Sequence, residues 1–163
     1  MKIIQLTYTD EKQNKDLLML LADYAVGDMG GGKPLSAYTQ CNLLSALAQR
    51  SDVLSLMAYE GDVAVGLLNA FEGFSTFKCK PLLNIHDVCV MAGYRRQGIA
   101  TKLLQAAEQI ALQRGYCKLT LEVLQGNEAA KAAYCQFGFE AYELDPEMGQ
   151  AMFWEKNLPQ PLF

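Results

Sequence analysis

The chain of 163 residues is poor in the side chains that bind transition metals. It contains one histidine, His86, and five cysteines that form no C-x-x-C pair. Structural zinc sites need clustered cysteine and histidine ligands, so a metal site is not expected. The odd number of scattered cysteines also excludes a disulfide framework. Because Cys89, Cys117 and Cys135 stand in apolar segments, we expect reduced, mostly buried thiols, which favours the cytoplasm.

Long apolar runs and an excess of positive charge are lacking as well. No apolar stretch approaches the roughly 20 residues that cross a bilayer, and the N-terminus soon becomes polar, so neither a membrane span nor a signal peptide is expected. The 14 lysines and arginines are outnumbered by 18 aspartates and glutamates, which gives a net charge of −4. Nucleic-acid binding depends on a basic surface and is therefore not expected, whereas a small cationic partner suits this sign.

The composition is that of one globular domain covering residues 1–163, with 51% hydrophobic and 20% charged residues. Hydrophobic periodicity and turn signals predict the order β-α-α-β-β-β-α-β-α-β-β. This is an α/β fold with a mixed sheet of about seven strands and about four helices. The predicted strands are 2–8, 53–59, 63–71, 82–90, 117–123, 139–144 and 151–158. The predicted helices are 10–24, 36–50, 97–114 and 128–136.

Several residues mark the ends and special positions of these elements. Asp10 or Thr9 is expected to cap the first helix, Ser36 the second and Asn127 the last. The segment 74–81 is expected to be an irregular link, and residues 145–146 a turn. Gly66, inside a strand, predicts a bulge or a close packing contact.

The stretch from Leu82 to Leu104 organises the predicted fold, because a hydrophobic strand leads through a short polar turn into an amphipathic helix. A helix that begins at about Gln97 presents unpaired N–H groups and the positive end of its dipole, and these groups bind phosphate. Gly98 lets the backbone approach an oxyanion closely, and Arg95 and Arg96 add positive charge. Neither the dinucleotide fingerprint nor the P-loop pattern occurs in the chain.

Two motifs give this turn a more specific interpretation. The R-x-x-G-x-A pattern from Arg95 to Ala100 resembles the [QR]-x-x-G-x-[GA] pyrophosphate loop of the GNAT superfamily of N-acetyltransferases. About 30 residues later, the segment from Asn127 to Phe139 resembles that family's N-x-x-[AS]-x-x-x-Y-x-x-x-GF pattern. The order of elements over residues 50–158 is also similar to the GNAT order. The resemblance implies a GNAT fold and acetyl-CoA as co-substrate.

The same resemblance implies where the cofactor binds. The backbone of the central strand would pair with the pantetheine arm, the amides of the loop and helix start would hold the pyrophosphate, and two residues of the last helix would face the arm and the sulfur. The expected cofactor-binding residues are Val88, Cys89, Val90, Arg95, Arg96, Gln97, Gly98, Ile99, Ala100, Thr101, Asn127 and Tyr134. No metal ligand is expected among them.

Acetyl transfer to an amine needs a proton donor for the departing thiolate and a group that takes a proton from the ammonium. Tyr134 is the expected acid, since it lies two helical turns beyond Asn127 on the side that the resemblance assigns to the sulfur. His86 is the leading candidate for the base because histidine titrates near neutral pH. Asp87, Glu122 and water are the alternatives. Asp87 faces away from His86 if the strand is regular, whereas a bulge would reverse this.

These observations predict a cytoplasmic enzyme that transfers an acetyl group from acetyl-CoA to a primary amine of a small molecule, peptide or protein. The acceptor is expected to meet the first two helices and the glycine-rich segment 26–34, with Asp28 and Asp23 as anionic contacts. The alternatives are a non-catalytic acyl-CoA-binding module, a longer acyl donor or an oxygen acceptor, and, outside the family, a different nucleotide-phosphate binder. The resemblance implies a homodimer as one possible assembly. Neither nucleic acid nor a membrane is expected as a partner.

Overall fold

The fold was analysed in a computed structural model, which describes residues 1–143, 145, 147 and 149–158. The strands are β1 Lys2–Gln5, β2 Val53–Glu60, β3 Val63–Ser75, β4 Lys80–Val90 and β5 Leu119–Leu121. The helices are α1 Glu11–Val26, α2 Ala37–Ala48, α3 Ile99–Gln113 and α4 Glu128–Phe137, with a 3-10 helix at Ala92–Tyr94. The α/β fold class with a mixed sheet and four helices is confirmed for the described residues.

The five strands form one sheet in sequence order. Strands β1 to β4 pair antiparallel, and β4 pairs parallel with β5 after the crossover through α3. The segment predicted as an irregular link instead extends the β3–β4 hairpin, with Phe74 opposite Pro81 and Ser75 opposite Lys80. Pro81 is tolerated there because its backbone faces the β5 side, where its carbonyl accepts from the Cys117 N–H. The N–H that proline lacks is therefore not needed for the ladder with β3.

The helix starts follow from capping residues. Asp10 accepts a hydrogen bond from the backbone N–H of Gln13, and Ser36 accepts one from Thr39, so both predicted caps are confirmed. Helix α3 begins at Ile99, two residues later than predicted.

The sheet buries both faces. On one face, here called the α1 face, leucines of α1 and α2 pack against Met57, Leu67 and Cys89. On the other, α3 lies so close to β3 that a Cβ on Gly66 would come within 3.0 Å of the Ile99 side chain. The predicted close contact at Gly66 is therefore confirmed, and a change of register in the β2–β3 ladder lies beside it.

The described residues form two compact units, Met1–Leu124 and Gln125–Phe163. The sheet and α1 to α3 belong to the first, and α4 to the second. Over its described residues the second unit contains no strand, so the two predicted C-terminal strands are wrong there; Leu144 lies outside the described residues. Among the described residues of this unit, Glu143 and Gln150 form an isolated bridge and no ladder, because an apolar alternation does not form a ladder without a partner strand. Asp145 accepts from the Glu147 N–H in a turn, whereas Pro146 lies outside the described residues.

The expectation of mostly buried thiols is wrong. Cys89 is buried and Cys117 is half-buried, but Cys41, Cys79 and Cys135 are exposed. Cys135 lies on the outer side of α4, a short helix whose apolar side chains cover only one stripe of its surface.

Candidate active site

The turn between β4 and α3 leads into a helix start without a side-chain cap among the described residues. Gly98 occupies the N-cap position in the left-handed region, with φ 74°, and no side chain of the described residues caps the helix. The first helical hydrogen bond runs from the Lys102 N–H to the Gly98 carbonyl, so the three preceding amides, Ile99 to Thr101, have no acceptor within the helix. Arg96 also adopts a left-handed backbone, with φ 58°, and its side chain is exposed. N–H groups without an acceptor in the helix therefore share one turn with an exposed arginine.

Two other side chains of this turn fold back onto it. Arg95 donates from Nε to the Val90 carbonyl at 3.0 Å, and Gln97 donates from Nε2 to the Gly93 carbonyl at 3.4 Å. Arg95 thus joins the turn to the end of β4, and Arg96 is the arginine that extends from it.

Strand β4 leaves one edge open beside this turn. Its pairing with β5 stops at Ile85, opposite Leu121, whereas β4 continues to Val90. Met91 donates its N–H to Val65 of β3, and backbone groups alternate in an antiparallel ladder, so Cys89 also faces β3. The backbone groups of Val88 and Val90 face the open edge, and the bond from Arg95 to Val90 agrees with this direction. An extended amide-containing ligand can pair with that edge.

A β-bulge places the two candidate bases on one face of the sheet. Asn69 lies opposite Asp87 and Ala70 opposite Ile85, which leaves His86 as the extra residue. The Asp87 side chain meets Asn69, and the exposed His86 ring contacts Phe71 edge-on at 5.8 Å between centroids. Both therefore lie on the α1 face, as expected for a bulged strand and not for a regular one.

A chain of buried polar groups leads to Asp87, and the sequence did not predict it. Ser55 and Asn69 are 1% and 3% exposed. Ser55 Oγ donates to Asn69 Oδ1 at 2.5 Å, and Asn69 Nδ2 donates to Asp87 Oδ2 at 3.0 Å. The Tyr8 hydroxyl lies 2.7 Å from Ser55 Oγ. The available signal was one polar residue in each of two apolar strands, but only the register shows that they are neighbours.

The third candidate base, Glu122, directly follows β5, the strand that pairs with β4. Asn84 donates from Nδ2 to Thr120 Oγ1 at 3.1 Å and to the two Glu122 oxygens at 3.2 and 3.4 Å. Asn84 is opposite Phe71, so these groups also lie on the α1 face. The first unit thus brings His86, Asp87 and Glu122 to one face of the sheet.

Burial and negative charge set the protonation of two neighbouring groups. The pKa of the Cys89 thiol is raised to about 12, first by burial and then by the charge of Asp87. The pKa of Tyr24 on α1 is raised by burial and by the same carboxylate. Cys89 is therefore a neutral core thiol at physiological pH.

The segment after α1 is ordered by backbone contacts. Gly30 and Gly32 donate to the Gly27 carbonyl, and a Cβ on Gly30 would lie 1.9 Å from the Tyr24 carbonyl oxygen, so this position requires glycine. The proposed acceptor contacts Asp23 and Asp28 are both exposed.

The second unit carries the other predicted pair. Asn127 caps α4 by accepting from the Ala130 N–H at 3.2 Å, and Gly138 ends the helix with φ 108°. Tyr134 lies on α4, half-buried, with its ring edge-on to Phe139 at 5.9 Å between centroids. The capping of α4 by Asn127 is confirmed; the roles of both residues toward a cofactor stay predictions.

Two further properties bear on function. Within the described ranges, no group of three or more histidine, cysteine, aspartate or glutamate side chains could hold a metal ion. No helix in the described part of the chain has the length and apolar character needed to cross a bilayer.

Comparison with known proteins supports the motif resemblance. Residues 18–139 match the model of the acetyltransferase (GNAT) family. An uncharacterized N-acetyltransferase, YhfO of Bacillus subtilis, is 30% identical over 97 residues, which cover 60% of this chain and 65% of the relative. The thialysine N-epsilon-acetyltransferase of Bos taurus is 32% identical over 48% of this chain and 46% of the relative. The match thus spans less than two thirds of either relative.

Solved structures show the same fold. An aminoglycoside acetyltransferase from an uncultured soil metagenomic sample, in complex with sisomicin, has a TM-score of 0.79 at 23% identity, over 97% of this chain and 96% of that one. AAC(6')-Iy in complex with a CoA-acetylneamine bisubstrate analogue has a TM-score of 0.75 at 17% identity, over 96% and 98%. The match of residues 18–139 to the family model, together with this shared fold, shows that the chain belongs to the GNAT acetyltransferase family.

Proposed function

We propose that the protein transfers an acetyl group from acetyl-CoA to a primary amine. The observation that carries the proposal is the continuity of the open β4 edge with the uncapped start of α3. An extended amide arm that ends in a pyrophosphate matches this pair of features. Family membership supports the same reaction.

The residues of the first unit fit the cofactor. The amides of Ile99 to Thr101 and the exposed Arg96 would hold the pyrophosphate, and the backbone of Val88 and Val90 would pair with the pantetheine arm. No heavy atom of the described residues lies within 4 Å of an ideal Cβ on Gly98, so the space in front of this residue is open to a ligand. Bound acetyl-CoA supplies the activated acetyl thioester.

The chain's own residues would supply the proton transfers. Tyr134 donates a proton to the departing thiolate, a role that rests on its motif in α4. His86 takes the proton of the acceptor ammonium directly or through water, since it is the exposed imidazole of the bulge. Asp87 and Glu122 are the alternative bases on the same face.

The acceptor class follows from charge and from the relatives. Asp87 and Glu122 lie on the α1 face, and the net charge of the chain is −4. Relatives named for thialysine and aminoglycoside acetylation act on amines, which supports a small-molecule amine here. The single domain over residues 1–163, the cytoplasmic location and a homodimer stay predictions.

The test is release of free thiol from acetyl-CoA in a panel of spermidine, lysine, sisomicin and a peptide with a free N-terminus. We expect turnover with at least one amine. For Tyr134→Phe, kcat should fall about 100- to 10,000-fold with little change in KM for acetyl-CoA, because general-acid catalysis typically contributes on that order. Tyr142→Phe, in the same unit, is the matched control and should keep wild-type kcat.

Two results would contradict the proposal. Calorimetric binding of acetyl-CoA without turnover of any amine would instead support the non-catalytic acyl-CoA-binding module. An unchanged kcat in Tyr134→Phe would exclude the tyrosine as the acid.

A further inference from the structure

We infer that Tyr8, Ser55 and Asn69 are positioning residues that fix the Asp87 carboxylate as the binding group for the acceptor's ammonium. The inference rests on the proposed function and adds to it a residue that holds the amine beside the base. It is carried by the direction of three hydrogen bonds, by their burial and by the lack of a salt bridge to Asp87 among the described residues.

The hydrogen bonds have one consistent direction. Ser55 Oγ donates its only hydrogen to Asn69 Oδ1, so the Tyr8 hydroxyl must be the donor in the bond to Ser55. With its oxygen held by Ser55, the Asn69 amide has to present Nδ2 to Asp87, which it does at 3.0 Å. The opposite amide orientation would place the amide oxygen against the Asp87 carboxylate oxygen, with no hydrogen between them. The chain therefore presents a donor to Asp87 and holds one carboxylate oxygen in place.

The middle of the chain is closed to solvent. Ser55 and Asn69 are almost fully buried, and a buried polar group without a partner is costly, so neither amide nor hydroxyl can reorient freely. The Tyr8 backbone adopts a left-handed conformation, with φ 62°, and Asn14 Nδ2 donates to its carbonyl at 3.0 Å. Such a backbone is uncommon for an aromatic residue and is retained where the surroundings over-determine it.

A hydrogen bond fixes one oxygen of the Asp87 carboxylate, but no cation of the described residues forms a salt bridge with it. Among the described residues no salt bridge involves it, and its recorded hydrogen bond, from Asn69, reaches Oδ2. Tyr24 and Cys89 interact electrostatically with it, and both are neutral acids whose pKa values are raised. Asp23 and Arg95 also act on Cys89, and Arg95 is engaged with the Val90 carbonyl. A half-buried carboxylate with a neutral donor and no cation suits an ammonium ligand.

The bulge couples this carboxylate to the proposed base. His86 and Asp87 are consecutive residues that share the α1 face because His86 is the extra residue of β4. An ammonium bound to Asp87 would therefore lie next to the imidazole that accepts its proton. Asp87 would determine acceptor affinity, and His86 the rate of proton transfer.

Steady-state kinetics of the full chain, with the best amine of the panel, tests the network. For Asn69→Ala and Ser55→Ala we expect KM for the amine to rise about tenfold, and for Tyr8→Phe about threefold, with KM for acetyl-CoA within about twofold of wild type. Tyr59→Phe is the matched control for Tyr8→Phe, because each removes one tyrosine hydroxyl. The Tyr59 hydroxyl lies outside the network and donates to Asp16 Oδ2 at 2.7 Å. This control should change neither KM.

The outcomes separate this inference from the proposed function. A wild-type chain that turns over no amine overturns both. Turnover with an unchanged amine KM in all three variants overturns the inference alone. A fall in kcat with both KM values unchanged also overturns it, since the network would then serve the chemical step. Should the two core variants fail to fold, Tyr8→Phe decides, since it deletes one half-buried oxygen atom.

Discussion

His86 owes its place on the α1 face to one extra residue in β4. The ladder with β3 keeps its register up to Ile85 and resumes at Asp87. The imidazole packs edge-on against Phe71 and is otherwise exposed, so water and an acceptor can both reach it. An exposed imidazole beside a held carboxylate is a suitable arrangement for accepting a proton from an ammonium.

Replacing this imidazole should remove the acidic limb of the pH profile. For His86→Gln we expect kcat/KM to fall about 100- to 10,000-fold, because general-base catalysis is on that order, and to lose its decline at low pH. The profile is measured from pH 5.5 to 9.5 with the best amine, beside Asp87→Asn and Glu122→Gln. The variant that loses the limb identifies the base. A His86→Gln profile with the wild-type shape would exclude His86, and a limb retained in all three variants would favour water.

At the residue scale, the sequence predicted positions at which the local backbone conformation limits the choice of residue. Asn127 could be assigned as a cap because N-cap positions accept few residue types, whereas the left-handed conformation of Gly98 at the helix start is seen only in the structure. Ser55 and Asn69 could not be assigned, since their meaning depends on lying opposite each other across two strands. The sequence left open whether β4 is regular or bulged at His86, because one inserted residue leaves no recognisable pattern in a short strand.

Helix α3 presents the amides that we propose bind the pyrophosphate, and a left-handed glycine flanks each of its ends. Gly98 has φ 74° at the start, and Gly115 has φ 72° just beyond the end. No heavy atom of the described residues lies within 4 Å of an ideal Cβ on either. The two positions thus have the same steric and conformational demands, and only one of them faces the proposed cofactor site.

This symmetry gives a matched pair of substitutions. Gly98→Ala and Gly115→Ala should each lower the free energy of unfolding by about 1 kcal/mol, because a left-handed backbone is strained for alanine. Only Gly98→Ala should raise KM for acetyl-CoA, by about tenfold, since its Cβ would stand where the pyrophosphate approaches. Thermal melts and initial rates measure the two effects. An equal KM in both variants would mean that the start of α3 does not bind the cofactor.

Elements with a local signal were predicted well, and elements that need a distant partner were not. The hairpin of β2 and β3 and the caps of α1 and α2 follow from short patterns. The apolar alternation at 151–158 predicted a strand, yet over these residues the structure assigns none, and Phe153 and Trp154 are exposed. Strand formation depends on pairing, and no local pattern supplies the partner.

At the scale of the whole molecule, several buried acids share one direction of titration. The pKa of Cys89 is raised to about 12, chiefly by burial. The pKa values of Tyr8, Tyr24, Tyr59 and Tyr116 are also raised, in each case first by burial. The folded chain therefore keeps protons that the unfolded chain releases once the pH exceeds the ordinary values of 9.0 for the thiol and 10.0 for the phenols.

The sign of this linkage predicts alkaline destabilisation. Stability from these groups is complete below about pH 9 and is lost as pH rises toward 12, at about 1.4 kcal/mol per pH unit for each proton that only the folded state retains. Urea unfolding between pH 7 and 11 should show a falling free energy above pH 9. Cys89→Ala should flatten the first part of this fall, because Cys89 is the buried thiol, whereas Cys41→Ala, at an exposed thiol, should leave it unchanged. The same slope in wild type and Cys89→Ala between pH 9 and 10 would mean that Cys89 ionises without unfolding the core that surrounds it.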